Sequence, residues 1–414
     1  MKRYKFSRKS YFMRFGNYIL LFFLIAGLMS ANPFINHASA KTQRLVDHVI
    51  LIIPDGFSPD YMAMYDLPNL RSLANQGVFF ARAEGVFPSN STPNHASILT
   101  GTYPEQTGLP NNTMYDRERD QIYGELRDIQ VPTLPEILHA AGMVTVEQNH
   151  FLLENRKAIS YPHGVDNFKK AMAAHKPDLL IYLEKETDAQ GHRVGPYNMK
   201  ETLLQFDSDL GEMLAYLEET GIRDKTAVII ASDHGMMETS LPGVAPQLLE
   251  DLKNAGFSVA DSNSAIEDNT DIVAIRTGSL FLYFREGRID KTKYDTIMSI
   301  LETIPNAHIL TEKELRARHT DPYALGDIVI APQPGYVIST GGGGGVHGVP
   351  ETQRTTLILS GAGFREGQVQ GRANTVDIAP TILHLLGLEM PETMDGEVLK
   401  GAMIPRKIDW GSVF

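Results

Sequence analysis

The 414-residue sequence contains no cysteine, and that absence closes two routes at once. No disulfide can staple the fold, and no thiolate can act as nucleophile or metal ligand. Charge is sparse as well. Only 21% of residues are charged against 43% hydrophobic, which excludes a charge-rich disordered chain and leaves enough apolar material for a large core. No internal repeat is evident. The one low-complexity segment is the glycine run Gly341 to Gly345, just before His347.

Acids are missing from the start of the chain, where Lys2, Arg3, Lys5, Arg8, Lys9 and Arg14 precede an apolar run from Tyr18 to about Met29 and the small-residue site Ala38-Ser39-Ala40. This three-part pattern reads as a secretory signal over residues 1–40. The protein is therefore expected to be exported, whether secreted, periplasmic or at the cell surface. The apolar run falls short of the roughly 20 residues a spanning helix needs. Membrane contact is expected only through this segment, if it stays uncleaved as an anchor. Losing the six basic residues would take the net charge from −12 to −18. Such acidity argues against a stable nucleic-acid partner, although a small phosphate ester stays open because metal ions can neutralise phosphate locally. Oligomeric state is not legible in the sequence.

What is present is a rhythm of short, continuous apolar runs and amphipathic stretches. Val49 to Ile53 ends at Pro54-Asp55-Gly56, Leu179 to Leu183 precedes Asp188, Ala227 to Ala231 runs into Ser232-Asp233-His234-Gly235, and Thr356 to Leu359 precedes Ser360-Gly361. Helical patterns fall at Leu67 to Asn75, Leu134 to Ala141, Lys200 to Glu219 and Val376 to Leu386. Buried strands alternating with such helices predict an α/β fold, a mainly parallel central sheet with helices on both faces. The rhythm breaks between Gln247 and Gly335, where a polar stretch, one strand at Leu280 to Phe284 and a helix near Tyr294 to Ile304 predict an inserted cap or lid-like subdomain. The expected organisation is a core of residues 41–246 and 336–414 with an insertion at 247–335.

Singly, Asp55 reads as a helix cap, His192 as a surface residue and His347 as a core histidine. Their joint placement alters that reading, because ligands of open α/β sheets gather at the carboxyl ends of the strands. Asp55, Asp188, His192, Asp233, His234 and His347 are six candidate ligands, enough for two sites of three. Carboxylates mixed with imidazoles suit two divalent ions, zinc best, rather than the all-oxygen shells of magnesium or calcium. Ser91 lies at a predicted helix start, where a hydroxyl is by default an N-cap. Free backbone N–H groups and the helix dipole also suit an anionic substrate there.

The motif Ser91-Thr92-Pro93-Asn94-His95, the continuation Thr100 to Glu105, Asn112 to Asp116, Asp188 through Gly191-His192, Ser232 to Met236 and His347-Gly348 occur in a fixed order. In that order they resemble the type I phosphodiesterase/nucleotide pyrophosphatase branch of the alkaline phosphatase superfamily. The resemblance implies that Asp55, Asp233 and His234 hold one zinc together with Ser91, and that Asp188, His192 and His347 hold the second. It further implies that Ser91 attacks phosphorus, that a metal-bound water releases the covalent group, and that Asn112 donates to a non-bridging oxygen. An asparagine in place of a cationic clamp implies a diester substrate, a small molecule or a headgroup, over a monoester. Two features depart from the branch. Ser91 stands where threonine is usual, and Thr92 where nucleotide-cleaving relatives place an aromatic platform, a role Tyr182 or Phe151 could take over. Three alternatives stand beside this reading: a phosphomonoesterase, a sulfatase, disfavoured by His95 where that class needs arginine, and a non-catalytic zinc- or phosphate-binding protein.

Overall fold

The computed structural model describes residues 43–124, 128–239, 243–261, 264–320, 324–338 and 344–405. The leader expected over 1–40 and most of the glycine run lie outside these residues. Among these residues nine strands form the main sheet. Five of them position the site: β1 (His48–Pro54), β2 (Gly77–Glu84), β3 (Leu179–Glu184), β4 (Thr226–Ala231) and β5 (Leu357–Gly361). Strand β1 lies at the centre, parallel to β3 on one side and β4 on the other. Beyond β3 come Thr145–Gln148 and Ile159–Tyr161, both parallel to their neighbours.

Strand β5 runs against the parallel direction, pairing antiparallel with both β4 and β2. Its direction follows from its connection. The preceding segment, with His347, lies at the carboxyl end of the parallel strands, so the chain has to enter the sheet from that end and run back. The sheet is mixed but largely parallel, as the sequence pattern predicted.

Alternating side chains explain why helices cover both faces. Val49, Leu51 and Ile53 of β1 join one buried cluster with Ile181, Leu183 and Ile229. Ile50 and Ile52 join another on the opposite face with Leu180 and Val228. The first cluster is closed by α2 (Ser91–Thr100) and α5 (Ile378–Leu385), and the second by α1 (Pro68–Asn75) and α4 (Lys200–Glu219). Helix α3 (Glu186–Val194) follows β3 directly and carries two of the candidate ligands.

Between residues 259 and 332 the chain builds a second sheet of five strands in the order Val259–Asp261, Ile272–Arg276, Leu280–Phe284, Ile328–Pro332, Ala307–Leu310. Only Leu280–Phe284 was legible as a strand, because its unbroken apolar run is buried along its length. The helix expected near Tyr294 spans Lys291–Leu301, starting earlier because the Asp290 side chain accepts from the Lys293 N–H at 3.0 Å. The second sheet touches the core at a turn. Asn90 Nδ2 donates to Thr277 Oγ1 at 3.1 Å, and Ser279 Oγ donates to the Gly348 carbonyl at 2.9 Å. A Cβ at Gly278 would fall 1.7 Å from the His347 carbonyl oxygen, so only glycine allows this approach.

Candidate metal centre

The parallel strands deliver three carboxylates to one end of the sheet. Asp55 follows β1, and its N–H donates to the Glu184 carbonyl at the end of β3 (2.9 Å). The next residue, Gly56, adopts φ +69° and donates its N–H to Asp233 Oδ1 at 3.0 Å. A Cβ at Gly56 would lie 3.1 Å from Asp188 Oδ1, so glycine here lets the β1 loop and α3 close on each other. Asp188 and His192, four apart, share one face of α3. Asp233 and His234 follow β4, and both are fully buried.

The candidate ligands converge. Atoms of Asp188, His192 and His347 lie within 4.8 Å of one another, as do those of Asp55, Asp188 and His234, and those of Asp55, His95 and Asp233. His234 Nε2 is 3.4 Å from Asp55 Oδ1 and 3.2 Å from Asp233 Oδ2. Asp188 Oδ1 lies 3.5 Å from His192 Nε2 and 3.7 Å from His347 Nε2. The His234 and His347 rings stack at 3.7 Å and join the two halves of the cluster.

Two observations fit this donor set to metal ions. Asp55 Oδ1, Asp188 Oδ1 and Asp233 Oδ2 are buried with no hydrogen-bond partner, a costly state unless a cation faces them. The three histidines present the same nitrogen: Nδ1 sits 2.9 Å from the Gly345 carbonyl in His192, 3.0 Å from the Gly235 carbonyl in His234 and 3.0 Å from the Ser89 carbonyl in His347. A carbonyl can only accept, so each ring carries its proton on Nδ1 and turns a lone pair inward at Nε2.

Electrostatics tells the same story. Burial and the neighbouring Asp233 push the Asp55 carboxyl up to about 7. Burial opposes ionisation of Asp233, but His234 and His95 hold it below the usual carboxylate range. Burial works against a charged His234, yet Asp233 and Asp55 raise it overall, whereas burial and His234 keep His347 well below the ordinary histidine value. Protons thus stand in where divalent charge would otherwise sit.

Ser91 opens α2, with Asn90 in extended backbone as its cap residue. Its Oγ is 3.2 Å from His234 Nε2, at the edge of the cluster. The helix start offers fewer free N–H groups than expected. Thr92 N–H is taken by Asn112 Oδ1 at 2.9 Å, and Pro93 has none. The same bond occupies the Asn112 side-chain oxygen, so only its amide nitrogen is left to donate. Neither suggested aromatic substitute is a platform. Tyr182 is fully buried in the core, and Phe151 is half-buried with its ring packed against His95 and His150.

A model described as type I phosphodiesterase/nucleotide pyrophosphatase matches residues 49–128 and 143–356. The chain belongs to this family. It is an enzyme of the metal-dependent phosphoric-ester hydrolase class, with phosphodiesterase/nucleotide pyrophosphatase activity. Among curated proteins it is similar to bis(5'-adenosyl)-triphosphatase ENPP4 of Bos taurus, 26% identical over 90% of this chain and 84% of that one. The Mus musculus protein of that name is 27% identical over 86% and 80%. Human ectonucleotide pyrophosphatase/phosphodiesterase 5 shares the fold, with a TM-score of 0.70, 18% identity and coverage of 88% of this chain and 100% of that one. An inactive murine form of that enzyme in complex with AMP gives a TM-score of 0.69 at 19% identity, over 86% and 100% of the two chains.

Sequence reasoning missed His95 and His150 as parts of this centre. His95 was visible within its motif, but nothing in the sequence ties His150 to it. The two meet only because α2 and the end of strand Thr145–Gln148 pack together.

Proposed function

We propose that this protein hydrolyses phosphodiesters through a covalent intermediate on Ser91, with zinc as the divalent ion. The observation that carries the reading is the Ser91 hydroxyl, half-buried at the edge of the carboxylate and imidazole cluster and 3.2 Å from His234 Nε2. The mixture of carboxylates and inward-facing imidazole nitrogens supports zinc over harder cations. Asp55, Asp233 and His234 would hold one ion beside Ser91, and Asp188, His192 and His347 the other. Bound there, two zinc ions would offset phosphate charge and lower the pKa of the attacking hydroxyl.

The chain's own residues do the rest. The fixed start of α2 aims Ser91 Oγ at phosphorus. Asn112, tied to Thr92 N–H through Oδ1, keeps its amide N–H groups for a non-bridging oxygen, a donor without charge that suits a diester monoanion. The turn at 277–279 braces the loops carrying Asn90 and His347, so the insertion serves here as a buttress. The names of the relatives, and AMP in one of them, favour a nucleotide-like leaving or transferred group. Thr92 is buried, so base stacking would have to come from a residue elsewhere. Export through the leader at 1–40 belongs to the same reading. Among the described residues no helix is long and apolar enough to cross a membrane.

The test is turnover of bis-p-nitrophenyl phosphate against p-nitrophenyl phosphate by the zinc-loaded wild type and Ser91→Ala. Wild type should favour the diester, and Ser91→Ala should lose at least about 10³-fold in kcat while still binding two zinc ions. Monoester preference would overturn the diesterase assignment, and full activity in Ser91→Ala would overturn the covalent one.

A further inference from the structure

Behind the metal-facing carboxylates lie two buried imidazoles with no assigned part in the chemistry. His95, on α2, is fully buried, and His150, just past strand Thr145–Gln148, is 4% exposed. Their rings meet edge to face at 84°, with His95 Nδ1 3.2 Å from His150 Nε2. On its far side His95 Nε2 lies 3.3 Å from both Asp55 Oδ2 and Asp233 Oδ2. On the far side of His150, the Leu152 N–H points at Nδ1 from 3.3 Å.

Proton counting fixes the direction of this chain. A neutral imidazole has one N–H and one accepting nitrogen. A backbone N–H can only donate, so His150 accepts at Nδ1 and carries its proton on Nε2. That proton points at His95 Nδ1, which therefore accepts, and the His95 proton sits on Nε2 facing Asp55 and Asp233. An imidazolium at His95 would set its Nδ1–H against the Nε2–H of His150. The grouping of Asp55, His95 and Asp233 has the dimensions of a metal site, but a protonated Nε2 removes His95 as a ligand.

We propose that His150 and His95 form a positioning relay. His150 sets the tautomer of His95, and the His95 Nε2–H, set between Asp55 Oδ2 and Asp233 Oδ2, holds Asp55 so that its Oδ1 is left facing His234 and the first metal ion. Asp55 Oδ1 is indeed one of the buried oxygens without a partner, while Oδ2 has one. The inference rests on the two-metal reading above. It makes His95 and His150 positioning residues, two steps removed from phosphorus.

The experiment is nitrogen-15 NMR of the histidine rings in the zinc-loaded protein, with zinc stoichiometry measured first. Both rings should carry a proton on Nε2 and none on Nδ1. His150→Phe should let His95 exchange tautomers and weaken zinc binding at one of the two sites by about 10- to 100-fold, the range known for partners of metal ligands. His150→Gln, whose amide N–H can still donate to His95 Nδ1, should recover most of that loss. Failure to bind two zinc ions would overturn the metal reading and this inference with it. Two bound ions together with an unprotonated or metal-bound His95 Nε2 would overturn the relay alone.

Discussion

At the scale of single residues, the centre depends on side chains that are absent as much as on those present. Gly56 is the clearest case. Its φ of +69° is poorly tolerated by any other residue, and a Cβ there would press on Asp188 at 3.1 to 3.3 Å. Gly56→Ala should cost about 1–3 kcal/mol of stability. Since the displaced atoms belong to Asp188, zinc should also bind more weakly at the second site. Urea unfolding of the metal-free variant reads the first effect and zinc titration the second. Unchanged zinc affinity would mean that the approach of Gly56 to Asp188 does not matter for the metal. Ser91 and Asn112 show how far residue identity goes. A serine at a helix start is an ordinary cap, and it gains meaning only from His234 lying 3.2 Å from its oxygen.

Secondary-structure elements are held in register by buried polar groups placed at their ends. Asp207 of α4, 3% exposed, accepts from the N–H groups of Asn69 (3.1 Å) and Leu70 (2.8 Å) in the first turn of α1. It caps a helix distant in sequence, a role that local patterns cannot display because the partners are 137 and 138 residues away. Asp207→Ala strands those donors inside the protein and should destabilise it by roughly 2–4 kcal/mol, read as a shift in the urea midpoint at constant slope. Among the elements themselves, β1, β3 and β4 were legible because unbroken apolar runs buried on both faces have few other readings. The edge strands of the second sheet were not. They are short, only partly buried and decided by their partners, as Val259–Asp261 and Ala307–Leu310 show.

On the scale of the whole molecule, the cluster couples stability to pH and to metal. Without metal, burial holds Asp55 up to about 7, so between about pH 4 and 7 the folded chain keeps a proton that the unfolded chain has released. Stability therefore falls as pH rises across that window. A divalent ion bound there would ionise Asp55 in the folded state and abolish that loss. Calorimetry of chelator-treated and zinc-loaded protein from pH 5 to 8 should show a Tm gap that widens with pH. Parallel pH slopes in the two forms would show that the cluster does not take up metal at Asp55.

The sequence by itself determined the fold class, the chemistry class and the identity of the candidate ligands, because each is written locally: apolar runs that end in acids, histidines beside them, and motifs in a fixed order. Tertiary structure alone decided the rest. It set the antiparallel course of β5, the bracing of His347 by the turn at 277–279, and the pairing of His95 with His150. It also removed Tyr182 and Phe151 as platforms for a base. These features depend on which distant surfaces pack together, and a linear pattern constrains which face of a strand or helix is buried without naming what it is buried against.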